Sequence, residues 1–146
     1  MSRWMSSLAK NTKNRAAKSF FDANLLMEVI HSRDHKREVV ELMQCQDGWP
    51  QISALTGHLV MYFGGKSGFT MDDLEEFLKD FQMVSLEEQD FAWAFANRRN
   101  DDFEDALQVA AAVRSGCEVF YTLDQKLAND YQDLATVKFV LVGGES

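Results

Sequence analysis

The sequence predicts an α/β domain built on a central parallel sheet of four or five strands. Short apolar runs alternate along the chain with longer stretches of helical periodicity, and this alternation is typical of parallel sheets with helices on both faces. The 146 residues correspond to one domain of ordinary size, and 46% of them are hydrophobic, which is enough for a buried core. Only one proline, Pro50, is present, which argues against linkers and low-complexity segments.

The strands are predicted where apolar runs are short and bounded by polar or turn-forming residues. The first run is SFFDA, and the second is either a strand or an extended entry to the next helix, so the count is four or five. The predicted strands cover residues 19–23, 49–55, 81–86, 118–123 and 136–142.

Helices are predicted between these runs, where apolar residues recur at helical spacing. They cover residues 24–31 and 35–45, a stretch through LVMYF (59–63), and then 71–80, 87–97, 101–115 and 124–133. Gly116 is well placed to end the sixth of them, because glycine commonly follows the last turn of a helix. The acidic runs at 72–76 and 87–90 are most simply interpreted as solvated helix faces.

The charge is distributed unevenly along the chain. Residues 1–18 contain five basic and no acidic side chains, whereas residues 19–146 contain 10 basic and 23 acidic ones. We therefore expect a basic, flexible extension over 1–18 and a single acidic domain over 19–146. A body this acidic does not attract nucleic acid by itself. Contact with a polyanion would need bound metal, the basic extension, or a local patch such as Arg98–Arg99.

The cysteine content and the hydropathy pattern indicate the compartment. Cys45 and Cys117 are too few and too far apart for a disulfide framework or a zinc site. No apolar run is long enough to cross a membrane. A reducing, cytoplasmic location without membrane attachment is the expectation.

Carboxylates that follow the predicted strands are candidates for a functional site. Asp22 ends the first apolar run, and Asp124 follows the run EVFYTL. Asp105 lies in the acidic start of the helix DDFEDALQVAAAV. In open α/β sheets, ligands bind beyond the carboxyl ends of the strands, and the fold could bring all three carboxylates there. A divalent cation would remove their mutual repulsion, and oxygen-only ligands suit Mg²⁺ or Mn²⁺. Metals held in this way hydrolyse phosphodiesters.

Helix capping is the competing interpretation of the same residues. Asp102 and Asp105 have the spacing of a capping box, and carboxylates in a first turn are stabilised by the helix dipole. Asp124 could cap the helix over 124–133, and Asp22 could cap the helix that begins near Asn24. Spacing alone favours capping for each residue taken singly.

Four segments, in the same order and spacing, resemble those of PIN-domain proteins, whose small bacterial members include the VapC-type toxins. The segments are FFDANLL (20–26), ISALT (52–56), DFEDALQVAAAV (102–113) and EVFYTLD (118–124). The resemblance extends over about residues 19–142. It implies a three-layer α/β/α sandwich and Mg²⁺- or Mn²⁺-dependent cleavage of RNA. It also implies that an antitoxin protein is a candidate partner and that the chain forms a homodimer.

The resemblance assigns roles to individual residues. The family's first aspartate falls on Asp22, the aspartate at the start of the D-A-L helix falls on Asp105, and the aspartate of the T-x-D segment falls on Asp124. Asn24 and the hydroxyl of Thr122 are expected to support them. Asp102 is expected to cap the helix that carries Asp105.

The sequence departs from the family at one position. Members commonly carry a glutamate a few residues after the Ser-x-x-Thr of strand two, and Leu59 occupies that position here. Asp101 or Asp102 could replace the missing carboxylate. Losing it should weaken the binding of a second metal ion most. The alternatives that follow are a chain that binds one metal, a slow enzyme, and a chain that has kept binding without catalysis.

Three functions therefore follow from the sequence. The first is a metal-dependent ribonuclease, as the toxin of a toxin–antitoxin pair. The second is a PIN-like domain without catalysis that binds RNA or a protein partner. The third is a small α/β domain without metal, in which the three aspartates are helix caps.

Overall fold

The computed structural model describes residues 18–143. That part of the chain contains five strands, and each strand is separated from the next by one or two of seven helices. The strands are β1 (Ser19–Phe21), β2 (Gln51–Ser53), β3 (Gln82–Val84), β4 (Val119–Thr122) and β5 (Lys138–Leu141). The helices are α1 (Ala23–Ile30), α2 (Lys36–Gln44), α3 (Ala54–Lys66), α4 (Met71–Leu78), α5 (Glu88–Asn97), α6 (Phe103–Arg114) and α7 (Gln125–Asp130).

The strands form one parallel sheet in the order β3-β2-β1-β4-β5. The chain builds outward from β1 to β3 on one side, then crosses back and adds β4 and β5 on the other. The strand order therefore reverses between β1 and β4, where the connections leave the sheet in opposite directions. A crevice opens at such a point beyond the carboxyl ends of the strands.

The core is divided by the sheet into two apolar layers. Neighbouring residues of β1 face opposite sides, because side chains alternate along a strand. Phe20 packs with Phe120 at a ring distance of 5.4 Å in one layer, and Phe21 packs with Tyr121 at 5.6 Å in the other. The predicted three-layer α/β/α sandwich is confirmed.

The predicted strands are longer than the observed ones at their carboxyl ends. The segment 49–55 was expected to be extended, but only Gln51–Ser53 is a strand. Ser53 begins α3 instead, because its Oγ accepts a hydrogen bond from the backbone N–H of Thr56 at 3.1 Å. The strand predicted over SFFDA (19–23) is likewise too long. It ends at Phe21, because Asp22 stands at the N-cap position of α1.

Two further expectations concern the limits of the domain. The predicted basic extension over residues 1–18 lies outside the described residues apart from Lys18, whose carbonyl accepts a bond from the backbone N–H of Glu118 at 2.9 Å.

Among the helices of residues 18–143, none combines the length and the apolar character needed to cross a membrane.

Candidate functional site

The crevice between β1 and β4 brings Asp22, the first predicted metal ligand, together with Thr122, its predicted supporting residue. Phe21 is paired in register with Tyr121, so the residues that follow the two strands emerge side by side. The backbone N–H of Asp22 donates to the carbonyl of Tyr121 at 2.9 Å, which fixes the main chain at this edge. Asp22 and Thr122 are both buried.

A hydrogen-bond network fixes the carboxylate of Asp22. The hydroxyl of Thr122 donates to Asp22 Oδ2 at 2.7 Å, and Asn24 Nδ2 donates to the same oxygen at 3.1 Å. Asn24 also accepts a bond through Oδ1 from the backbone N–H of Leu123 at 3.2 Å, which ties α1 to the end of β4. Both residues that the resemblance names as supporting therefore contact Asp22 directly.

Asp124 follows Thr122 by two residues and has a local structural role. Its backbone N–H donates to Thr122 Oγ1 at 3.0 Å. Its carboxylate Oδ1 accepts a bond from the backbone N–H of Leu127 at 3.2 Å, so Asp124 is the N-cap of α7. The other carboxylate oxygen is not needed for this cap.

Asp102 and Asp105, at the acidic start of α6, have different roles. Asp102 is the N-cap, because its Oδ1 accepts a bond from the backbone N–H of Asp105 at 3.2 Å. The position of Asp102 is itself fixed by Asn100, whose Oδ1 accepts from the backbone N–H of Asp102 at 2.8 Å. The side chain of Asp105 makes no contribution to this cap and lies half-buried in the first turn.

Electrostatics shows that Asp105 shares its surroundings with the other two aspartates. Burial raises the pKa of Asp22 to about 7, and the charges of Glu104 and Asp124 add to this, although the bonds from Thr122 and the backbone of Ala23 oppose it. Burial also raises the pKa of Asp105 to about 7, and the charges of Asp102, Asp22, Asp124 and Glu104 raise it further. Lys126 is the cation nearest in electrostatic terms: its bond to Asp130 raises the pKa of its ammonium, and the charges of Asp105 and Asp124 raise it further. Without metal, the site therefore favours the protonated form of both groups.

An open cleft of about 430 Å³ lies beside these residues. Asp105 and Asp124 line it, whereas Asp22 is buried and does not line it. Two cations also line the cleft, but both are paired with carboxylates outside the trio. Arg99 Nη2 lies 3.2 Å from Asp133, and Lys126 Nζ lies 2.9 Å from Asp130. The lining therefore carries two basic and four acidic side chains. The lining residues are Arg99, Asn100, Asp101, Asp102, Asp105, Asp124 and Lys126.

The carboxylate oxygens that line the cleft are donors of the kind that suits a hard divalent cation. Within residues 18–143, however, no group of three or more Asp, Glu, His or Cys side chains is arranged to hold one metal ion. Mg²⁺ commonly keeps several waters and binds through one or two carboxylates. Asp105 and Asp124, which both line the cleft, are the residues that could hold a cation in that mode.

Sequence reasoning missed two residues near the site. Partial loss of hydration raises the pKa of Glu104, and its charge acts on both Asp22 and Asp105. Gln108 is buried one turn after Asp105 and donates through Nε2 to Thr56 Oγ1 at 2.9 Å, which joins α6 to α3. Among buried side-chain atoms of the described residues, only Gln108 Oε1 has no partner. The helical spacing from Asp105 to Gln108 was the available signal.

Comparisons with known proteins reveal the fold. No family model and no curated protein matches the sequence. Solved structures do match, among them a toxin–antitoxin complex from Klebsiella pneumoniae with 21% identity and a TM-score of 0.68, covering 82% of this chain and 95% of that one. VapBC2 from Rickettsia felis bound to a promoter DNA fragment has 12% identity and a TM-score of 0.59, covering 85% and 98%.

A third structure, DNA-bound VapBC from Salmonella typhimurium, has 16% identity and a TM-score of 0.58, covering 86% of this chain and 98% of that one. At these identities the likeness concerns the path of the chain alone. It confirms the PIN-like fold expected from the sequence.

Proposed function

We propose that this protein is a divalent-metal-dependent ribonuclease of the VapC toxin type. The observation that carries the proposal is the electrostatic coupling of Asp22, Asp105 and Asp124 at the carboxyl edge of the sheet, where burial and neighbouring carboxylates raise the pKa of Asp22 and of Asp105 to about 7. Three groups from distant parts of the chain are costly to gather in this way unless a ligand offsets their repulsion. The fold shared with toxin–antitoxin structures supports the same function.

The residues of the chain would act in distinct ways during cleavage. Asp105 and Asp124 would hold Mg²⁺ or Mn²⁺ in the cleft, and the buried Asp22 would contribute negative charge. The bound metal would supply an activated water and would offset charge on the leaving oxygen of the phosphodiester. Thr122 and Asn24 would keep the carboxylate of Asp22 in one orientation, since both donate to its Oδ2.

The two basic residues that line the cleft would position the RNA. Arg99 and Lys126 are these residues, and both lie beside the carboxylates. Phosphate contacts of this kind fix the register of a strand without reading its sequence. Because the body of the protein is acidic, we expect binding of RNA to depend strongly on the metal and to weaken with salt.

A cleavage assay tests the proposal. The wild type should cleave single-stranded RNA with Mn²⁺ and should be inactive when a chelator is added. Asp105→Asn should be inactive under both conditions, while Asp102→Asn should remain active because asparagine caps a helix about as well as aspartate. Chelator-resistant cleavage by the wild type would contradict a metal-dependent mechanism.

A second candidate is a PIN-like domain that binds RNA or a protein partner without cleaving RNA. The observations that favour it are Leu59 in the place of the family's glutamate and the lack of a ready-made group of three metal-ligating side chains within residues 18–143. Leu59→Glu separates the two candidates. If the wild type is inactive and Leu59→Glu cleaves RNA with Mn²⁺, the natural chain has kept the site without its activity.

We also propose two protein partners and a cytoplasmic location. An antitoxin is supported by three structures that share this fold, the Klebsiella pneumoniae toxin–antitoxin complex and two VapBC structures. The location is supported by the two free cysteines, Cys45 and Cys117. Co-expression with the product of a neighbouring short gene, followed by co-purification, tests the antitoxin. Failure of every such neighbour to bind would contradict it.

The second partner is another copy of this chain, packed on the outer face of α5. Phe91 and Phe95 are 41% and 69% exposed there, and both rings contact Phe103 at 5.9 and 4.7 Å. Ala92 and Ala96 are exposed beside them. The face of each copy therefore carries projecting rings and small side chains, and the rings of one copy would pack on the alanines of the other. Sedimentation should show a dimer for the wild type and a monomer for Phe95→Glu.

A further inference from the structure

An exposed row of ring-bearing and basic side chains runs along α3. His58, Tyr62 and Lys66 are spaced four residues apart and are all exposed, so they share one side of the helix. We call these three residues the α3 row. The rings of His58 and Tyr62 are nearly parallel, at 24°, with their centres 6.3 Å apart. Lys66 Nζ lies 4.6 Å from the centre of the Tyr62 ring. The ring of Phe63 contacts that of Tyr62 at 5.1 Å and extends the ring surface.

The α3 row faces away from α4. Gly64 packs so closely against α4 that a Cβ atom added to it would lie 2.5 Å from Leu74 Cδ2. Residues two apart on a helix point in roughly opposite directions, and Tyr62 is accordingly 48% exposed. Val60 packs α3 into the core layer of Phe21, whereas α5, with the proposed dimer surface, packs into the other layer. The α3 row is therefore accessible in that dimer.

The helix that carries the row has no carboxylate. Among the seven helices of residues 18–143, only α3 contains neither aspartate nor glutamate. The neighbouring α1 contains one, Glu28, which is 7% exposed and accepts a bond from the backbone N–H of His35 at 2.8 Å. A polyanion that lies along α3 therefore meets Lys66 without an acidic side chain of the same helix.

The charges on the two flanks of α3 are mixed in sign. On the α4 side, Asp72 and Glu75 line a separate cleft together with Lys79. On the α1 side, Arg33 and Asp34 follow the end of α1. The row between these flanks is thus a local exception on an acidic body.

The α3 row continues from the carboxylate site. Ser53, at the end of β2, is the N-cap of α3, and β2 lies beside β1, after which Asp22 follows. The first turn of α3 is also bonded to α6, which carries Asp105. His58 and Tyr62 lie about 8 and 14 Å from Ser53 along the helix axis, at 1.5 Å per residue. A strand that passes the carboxylates can therefore continue along α3.

We propose that the α3 row is a stacking platform for unpaired bases of the single-stranded RNA that the carboxylate site cleaves. This inference rests on the function proposed above. Bases stack on the ring faces of His58 and Tyr62, and Lys66 contacts an adjoining phosphate. Aromatic faces beside basic groups bind single strands without selecting a sequence, because every base has a flat face. All three side chains of the row carry a polar group, which favours nucleic acid over an apolar protein surface.

Photochemical cross-linking to a single-stranded RNA that contains iodouridine tests where the bases lie. With Mn²⁺ present, irradiation should attach the RNA to the wild type, and mass spectrometry should locate the link in the peptide that contains Tyr62. Tyr62→Leu removes the ring and should lose most of this link, whereas Tyr62→Phe keeps the ring and should retain it. Met83→Leu is the matched control, because Met83 is 49% exposed but lies on β3. It should cross-link as the wild type does.

Cleavage kinetics give a second readout on the same variants. Losing one stacked base should raise KM for single-stranded RNA at least about fivefold in Tyr62→Leu. The value of kcat should stay unchanged, because the ring does not touch the reacting phosphate. Lys66→Gln should raise KM less and should weaken its dependence on salt, since one phosphate contact is lost. Equal melting temperatures of the variants report that each is folded.

The outcomes separate this inference from the proposed function. RNA cleavage with a KM that Tyr62→Leu does not change, and without a link at Tyr62, would overturn the platform and leave the ribonuclease intact. A link at Tyr62 without cleavage would support the platform and contradict the ribonuclease. If Tyr62→Leu alters sedimentation or antitoxin binding but neither KM nor the link, the α3 row binds protein and the platform is overturned.

Discussion

Two buried aspartates at the starts of helices have opposite surroundings. Asp90, in the first turn of α5, is 1% exposed and receives two bonds from Arg114, at 2.8 and 3.1 Å. Asp22, before α1, is 5% exposed and receives bonds from Thr122 and Asn24 but faces no cation. The charge of Asp90 is compensated within the chain, whereas that of Asp22 is left for a ligand.

The difference separates a structural acid from a functional one. A buried carboxylate with a bidentate guanidinium needs nothing more, and Asp90 also accepts from the backbone N–H of Glu87 at 2.9 Å. A buried carboxylate near other carboxylates has a raised pKa, which is typical of functional sites. Substitutions in each region test whether the two carboxylates differ in this way.

The largest effect is expected in the structural region. Arg114→Gln leaves Asp90 buried without a cation, which typically costs about 3–5 kcal/mol of stability. Chemical denaturation should show this loss, and the Mn²⁺ response of the remaining folded protein should not change. Arg37→Gln is the control, because the Arg37–Glu41 pair is 87% and 61% exposed, and such pairs contribute about 0–1 kcal/mol. Equal effects of the two changes would mean that Asp90 is not stabilised by its guanidinium.

The second effect has the opposite sign. Asp22→Asn should stabilise the protein in chelator at pH 8, because it removes a charge that burial disfavours. A pKa unit corresponds to about 1.4 kcal/mol, so the gain should reach a few kcal/mol for a group whose pKa is raised to about 7. Thermal melting in chelator measures it. A destabilised Asp22→Asn variant would show that the network around Asp22 requires a negative charge.

The pH dependence follows from the same shift. The pKa of Asp22 is about 7 in the folded chain and about 3.9 in an unfolded one. The folded state therefore binds the proton more tightly, and this contribution to stability is full below the unfolded value and lost as the pH rises through about 7. The advantage of Asp22→Asn over the wild type should grow from about pH 4 to pH 7 and then level off. A constant advantage over that range would contradict the raised pKa.

The smallest effect is expected at the cap of α6. Asp102→Asn should change stability by only a few tenths of a kcal/mol, because the two residues are nearly equivalent as N-caps. Asp102→Ala should cost about 1 kcal/mol. Denaturation curves of the two variants measure the difference. A large loss in Asp102→Asn would show that its charge, and not its cap, stabilises the helix.

The sequence predicted one of these regions and missed the other. Asp22 and Asp124 directly follow apolar runs, and in a parallel sheet that position alone brings them to one edge. The run 87–90 was interpreted as a solvated face, which is wrong for Asp90 because its partner, Arg114, lies 24 residues further along the chain. Spacing within one helix cannot reveal a partner on another.

The same limit applies inside the site. Asp102 could be predicted as a cap from its spacing to Asp105, since both belong to one turn. The influence of Glu104 on Asp22 depends on how α6 packs against the end of β1, which the local pattern does not contain. The boundaries of β2 and α3 depend on a single hydroxyl, that of Ser53, and were therefore displaced by two residues.

A melting titration with Mn²⁺ on the wild type, Asp105→Asn and Asp102→Asn tests the central claim most directly. A ligand that binds only the folded state at a hundred times its Kd adds about 2.7 kcal/mol of stability. The melting temperature of the wild type and of Asp102→Asn should therefore rise with Mn²⁺, and that of Asp105→Asn should not. If Asp105→Asn responds as the wild type does, Asp105 is not a metal ligand and the acidic start of α6 serves only to begin a helix.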